Sequence, residues 1–229
     1  MVKSKYFSIF ISIACYIAAI GVGDAGAAQW SAFILLQLYG LRLTSNFYRD
    51  WPGLNHEDWR YVDFRKKFPG FYWLVSLTGI HIFPTIMVYL ACLPLYSKFI
   101  VHASLNPHPV ILSVGVLVLA GSIVLAFVAD EQMRTFRKKH ENKGKYMSSS
   151  LWKYSRHPNY LGEVLTWWGL FLVALSLSFE MWYLGAGALA VNLMFVFISV
   201  PWLDKRSLSR KENFQTYIKR TRMLLPFPK

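Results

Sequence analysis

The segment Ser155-Arg-His-Pro-Asn-Tyr-Leu-Gly-Glu163 sets an arginine, a histidine, a tyrosine and a carboxylate at the start of a long apolar run. Pro158 confines His157 to an extended backbone and suits the first position of a helix, so a helix is predicted to begin there. Its unpaired N–H groups and positive dipole end favour an anion, and Arg156 and His157 add donors beside them. A phosphate or a carboxylate is the guest such a mouth suits. One turn further on, Asn159 and Glu163 stand at i and i+4, so both can face one cavity. Glu163 lies inside an apolar run, where a carboxylate is costly unless paired or solvated, and function is its default reading.

A second charged group precedes this one. The stretch Ala129 to Arg137 contains no helix breaker and Gly144 is the first strong stop, so the apolar run before it is predicted to continue as helix beyond the bilayer. On that extension Asp130, Arg134 and Arg137 share a face at i, i+4 and i+7. The spacing fits an exposed ion-pair stripe with snorkelling side chains. It also fits a carboxylate and two guanidiniums turned into a pocket, holding a sugar hydroxyl and phosphates, though spacing alone favours the stripe. His81, alone among apolar neighbours, reads as a hydrogen-bonded core residue, and Trp152, Trp167 and Trp168 read as an interfacial aromatic belt.

The elements that must position these groups follow from composition. Of 229 residues, 55% are hydrophobic and 17% aromatic, and they fall in long runs rather than alternating ones. This predicts an all-α integral membrane bundle of about six transmembrane helices, at roughly 6–22, 27–44, 70–95, 109–129, 160–178 and 181–201. The chain reads as one membrane domain, 1–229, with polar loops at about 45–69 and 130–159 and a tail at 202–229. A formal charge of +13 raises nucleic acid as a partner, and the placement of the basic residues excludes it. With Arg42 counted in the connection that follows its run, every one of the 25 Lys and Arg residues except Lys98 falls on one side. The positive-inside rule puts that side, with both termini and both long loops, in the cytosol. Membrane lipids and anionic cofactors are the expected partners. The membrane would be the endoplasmic reticulum in a eukaryote and the inner membrane in a bacterium. Cys15 and Cys92 sit in apolar runs without metal-ligand spacing, so neither a disulfide nor a metal site is expected. The first segment also fits a cleaved signal peptide, with Lys3 and Lys5 before its apolar stretch and small residues after it.

The run LWKYSRHPNYLGEVLTWWG is preceded by the Asp130/Arg134/Arg137 helix. It is followed by Pro201-Trp-Leu-Asp-Lys-Arg and by Tyr217-Ile-Lys-Arg-Thr-Arg-Met-Leu-Leu-Pro226. Together these resemble the steroid 5α-reductase superfamily, most closely a short branch of it, from about residue 30 to the end. The resemblance implies a membrane reductase that uses NADPH to reduce a carbon–carbon double bond in a sterol, steroid or polyprenoid-like lipid, without a metal. It implies that Asp130, Arg134 and Arg137 handle the ribose and phosphates of NADPH. Arg156 and His157 stand at the same helix mouth, Asn159, Tyr160 and Glu163 would flank the nicotinamide half, and Tyr217 would close over the cofactor.

Members of the superfamily that act on steroids hold the substrate ketone with a glutamate and a tyrosine on early helices, and the second apolar run here has no clear counterpart of that glutamate. The substrate candidates therefore fall at 42–61: Arg42, Asn46 and Glu57 for binding, with Tyr48 as the catalytic candidate there, and Glu163 is the other catalytic candidate. The Arg-His-Pro-x-Tyr-x-Gly core is shared with membrane methyltransferases that use S-adenosylmethionine on isoprenylcysteine carboxylates or phospholipid amines. That is the alternative, and Asn159, Glu163 and the Arg134/Arg137 pair favour the reductase. A non-catalytic lipid-binding protein is the third possibility.

Overall fold

Aspartate and proline mark where several helices begin. The computed structural model describes residues 26–51, 53, 57–97 and 106–226, without the side chains of 95–97. Helix α1 spans Ala27–Asp50. Helix α2, Trp59–Lys67, is capped by Asp58, whose carboxylate accepts the Arg60 N–H at 3.0 Å, and it ends on Arg65, Lys66 and Lys67, which complement the negative end of its dipole. Helix α3, Tyr72–Pro94, contains a π-helical turn at Leu77–Ile82. Helix α4, Pro109–Lys138, opens on a proline, as does α6, Pro158–Leu175, and the single turn α5, Leu151–Tyr154, lies between them. Helix α7, Phe179–Leu208, starts as a 3₁₀ turn and holds a second π turn at Phe195–Ser199. Helix α8, Phe214–Arg220, completes the described chain.

The described residues form no strand; the nearest thing is an isolated parallel bridge between Ser155 and Arg222. The all-α class expected from the sequence is the class observed. Three helices, Tyr72–Pro94, Pro109–Lys138 and Phe179–Leu208, are long and apolar enough to cross a membrane, and they carry the third, fourth and sixth predicted spans. The first predicted span lies outside the described residues. The second and fifth fall on α1 and α6. Both are helical, but polar side chains dilute them: Arg42 and Asn46 in α1, Asn159 and Glu163 in α6. Helix α4 runs to Lys138, so the predicted extension from Ala129 through Arg137 is present as an unbroken helix.

The closest helix pair is α4 with α6, and small residues make it close. A Cβ on Gly169 would lie 2.7 Å from the Leu119 nitrogen, and one on Gly162 would lie 2.7 Å from the Ala126 Cβ and 2.8 Å from the Ser122 carbonyl. Only glycine permits that approach, the usual device where lipid supplies no hydrophobic drive between helices. Between the two glycines the buried Ser122 and Thr166 hydroxyls meet at 2.8 Å and fix the register. The helix carrying Asp130, Arg134 and Arg137 is thereby locked against the helix carrying Asn159 and Glu163. Helix α1 lies across both, and α3 packs against α7 and α6. Behind them Leu36, Leu170, Val173, Ala188 and Val191 belong to one apolar core.

Candidate functional site

A cavity of about 1060 Å³ opens between α1, α3, α4, α6 and α7. Its wall is basic toward the ends of α1 and α4, at Arg49, Arg134, Arg137 and Lys138, and apolar along α3, α6 and α7, at Val88, Cys92, Trp167 and Met194. A buried ionic cluster stands where the two meet.

Arg42 sits at its centre. One guanidinium nitrogen donates to Asp130 Oδ2 at 2.8 Å and the other to Glu163 Oε1. The Tyr39 hydroxyl donates to the second Glu163 oxygen at 2.5 Å. Asn46 and Asn159 donate to the two Asp130 oxygens at 2.6 and 3.2 Å. Two carboxylates thus share one cation, and neutral donors satisfy their remaining lone pairs. Such a pair is tolerable in a low dielectric only with that support. Toward the mouth, Arg134 donates through Nε and Nη2 to both oxygens of Asp50 at 2.9 and 3.2 Å, through Nη2 to Asn46 Oδ1 at 2.9 Å, and through Nη1 to Glu131. Arg49 also pairs with Glu131. Arg137 makes no hydrogen bond or ion pair among the described residues. Lys211 lies in its field, and burial together with the Arg137 charge pulls the Lys211 ammonium below the usual lysine range.

The residues expected from the sequence divide into three groups. Asp130, Arg134, Arg137, Asn159, Tyr160 and Glu163 all line the cavity. Arg42 and Asn46, expected to bind substrate, line it too, but they hold Asp130 and Glu163. The remaining five lie elsewhere. Tyr48 is 78% exposed and does not border the cavity, and Glu57 forms an exposed ion pair with Arg65 at 2.5 Å.

Arg156 and His157 do not face the cavity either. They are buried around Asp204, which accepts from Arg156 Nη2 at 2.9 Å and meets His157 Nε2 at 2.9 Å. Arg156 also donates to the Thr221 carbonyl and, at 3.3 Å, to that of Ile218, while its own N–H reaches the Arg222 carbonyl at 3.0 Å. Tyr217 is buried beside them and donates to the Trp152 carbonyl; burial raises its phenol above the usual range, so it stays a donor. The expected anion donors are a clasp for the C-terminal tail. They reach the cavity indirectly, because the His157 ring stacks on that of Tyr160 at 5.6 Å.

Two residues escaped sequence reasoning. Tyr39 would have been found by continuing the second apolar run as helix to Asp50, which puts Tyr39, Arg42, Asn46 and Asp50 on one stripe. Asp204 lies in the quoted Pro201-Trp-Leu-Asp-Lys-Arg motif, but nothing local shows which way it points.

Fold and site together define an all-α membrane protein with a buried ionic cluster in a cavity whose wall is basic toward the ends of α1 and α4 and apolar along α3, α6 and α7. The chain belongs to the DUF1295 family, described as a protein of unknown function, whose pattern matches residues 3–221. It is similar to uncharacterized protein C594.04c of Schizosaccharomyces pombe (strain 972 / ATCC 24843), with 28% identity over 159 residues, covering 60% of this chain and 46% of that protein. The chain thus matches about half the length of that relative. No solved structure matches.

Proposed function

We propose that this chain is a membrane-embedded, NADPH-dependent reductase of a carbon–carbon double bond in a hydrophobic lipid of the sterol, steroid or polyprenoid kind. The observation that carries the reading is the single cavity joining a guanidinium-rich mouth to an apolar chamber through the Tyr39–Glu163–Arg42–Asp130 cluster. The likeness of the Leu151–Gly169 run to steroid 5α-reductases supports it. On this reading the mouth faces the cytosol, where the basic loops belong.

The residues fit the cofactor. Among the described residues Arg137 is unpartnered, and Lys138 is exposed beside it, as phosphates require. Asn159 Oδ1 is buried without a hydrogen-bond partner among the described residues, an acceptor that an amide donor would satisfy. Bound there, NADPH would supply a hydride. Arg134, Arg137 and Lys138 would hold its phosphates and Asn159 its amide. Leu43, Val88, Trp167 and Met194 would exclude water from the lipid's reacting end. Tyr39, oriented by Glu163, would take the catalytic role expected of Tyr48: its hydroxyl would give a proton to a conjugated carbonyl oxygen of the substrate as the β-carbon takes the hydride. The enol would then gain a proton from solvent at its α-carbon and return its hydroxyl proton to Tyr39.

The test is ligand binding by the purified full-length protein in detergent. NADPH is expected to raise the thermal midpoint and S-adenosylmethionine is not; stabilisation by S-adenosylmethionine alone would sink the reductase in favour of a methyltransferase. Arg137→Ala should weaken NADPH more than NADH if its guanidinium meets the 2′-phosphate. Equal losses would remove that assignment.

A further inference from the structure

Among the described residues, every guanidinium on the cavity wall except Arg137 already has an acidic partner: Arg42 has Asp130 and Glu163, Arg49 has Glu131, Arg60 has Asp58, and Arg134 has Asp50 and Glu131. These pairs differ in how firmly the acid is held. Asp130 and Glu163 are largely buried and are bonded by Asn46, Asn159 and Tyr39 as well as by Arg42. Among the described residues Asp50 accepts only from Arg134, and its side chain is 57% exposed while that of Arg134 is 9% exposed.

That asymmetry sets which carboxylate yields. Releasing Asp50 returns an already wet carboxylate to water, so it costs less than releasing the buried Asp130 or Glu163 would. Arg134 stays in place, because Asn46 and Glu131 still hold it. The fork through which Arg134 grips Asp50, Nε and Nη2 to two oxygens, is also the fork that grips two oxygens of a phosphate. Asp50 is moreover the last residue of α1, at the mouth, so an anion arriving beside Arg137 meets it first.

We infer that Asp50 is a built-in competitor for the anion subsite: it occupies the Arg134 fork, a phosphate must displace it to bind, and it thereby sets how tightly the cavity holds a phosphorylated ligand. The inference rests on the reading of the mouth as a phosphate site and adds to it the residue that limits affinity. Glu131 is not the competitor, because it is shared between Arg49 and Arg134.

The experiment is a calorimetric titration of inorganic pyrophosphate, and separately of NADPH, into the full-length protein and its Asp50→Asn and Asp50→Glu variants. Asp50→Asn should bind both probes about tenfold more tightly, on the scale of one charge-assisted hydrogen bond. Asp50→Glu keeps the charge and should stay near the parent affinity. A gain for pyrophosphate with no NADPH binding in any variant supports the competitor and removes the reductase reading. NADPH binding that is equal or weaker in Asp50→Asn overturns the competitor and leaves the reductase standing. Failure of both probes to bind any variant overturns both. Heating the three proteins without ligand separates affinity from folding, because losing this latch lowers the midpoint while the proposal requires affinity to rise.

Discussion

Arg42→Ala is expected to lower the thermal midpoint of the purified protein by about 10 °C, from a loss of about 3–5 kcal/mol at the usual few degrees per kcal/mol for a chain of this size. The Arg42 side chain is 4% exposed, and those of Asp130 and Glu163, which share its guanidinium, are 19% and 16% exposed. Truncating it therefore removes more than two hydrogen bonds. It leaves two carboxylates facing each other in the neck of the cavity with only neutral donors, and like charges in a poorly solvated site repel strongly. The same physics predicts a rescue. In a Glu163→Gln background, Arg42→Ala strands one carboxylate rather than two, so the added loss should be markedly smaller than in the parent chain. Scanning fluorimetry of the four proteins of this cycle reads the coupling directly. An Arg42→Ala midpoint equal to that of the parent would mean that water already solvates the cluster and that its bonds contribute nothing.

Tyr39 and Tyr48 show how far the sequence carries and where it stops. The two stand nine residues apart in an unbroken helix, and at 100° per residue nine steps turn a side chain to the opposite face. Reading the second apolar run as ending at 44 puts Tyr48 in a loop, free to reach any site; continuing the helix to Asp50 puts it in solvent. The stripe Asp130, Arg134 and Arg137 was legible because helical period alone decides which residues share a face. Glu163 was legible because a carboxylate in an apolar run demands a partner. Its partner was not, because Arg42 lies 121 positions away and only the packing of α1 across α4 and α6 brings them together. The direction in which Arg156 and His157 point was not legible for the same reason. The helix mouth they mark is real, but their side chains answer to Asp204, 48 and 47 positions further on, and no local pattern states that.

Asp204→Ala is expected to cost about 3–5 kcal/mol and to free the C-terminal tail, because it strands a buried guanidinium and a buried imidazole together. The clasp is a chain of contacts. Helix α7 continues to Leu208 and so carries Asp204 inward; Asp204 holds Arg156; Arg156 holds the Thr221 and Ile218 carbonyls; and the Ser155–Arg222 bridge fixes the tail where Tyr217 reaches the Trp152 carbonyl. Removing the carboxylate loosens every later link. Limited trypsin digestion of the folded protein should then cut within 219–222, where Lys219, Arg220 and Arg222 supply the sites, at a concentration that spares the parent chain. Asp204→Asn keeps one carbonyl acceptor for Arg156 or His157, so it should fall between the two in both midpoint and digestion. The effect should also reach the cavity, since His157 stacks on Tyr160 and Tyr160 in turn packs on Phe195, with ring centres 4.8 Å apart. A loosened imidazole removes one of the two ring contacts that hold Tyr160, so NADPH affinity should fall along with the midpoint. An Asp204→Ala protein with the parent's midpoint and digestion pattern would show that the tail is held by Tyr217 and the apolar contacts around it.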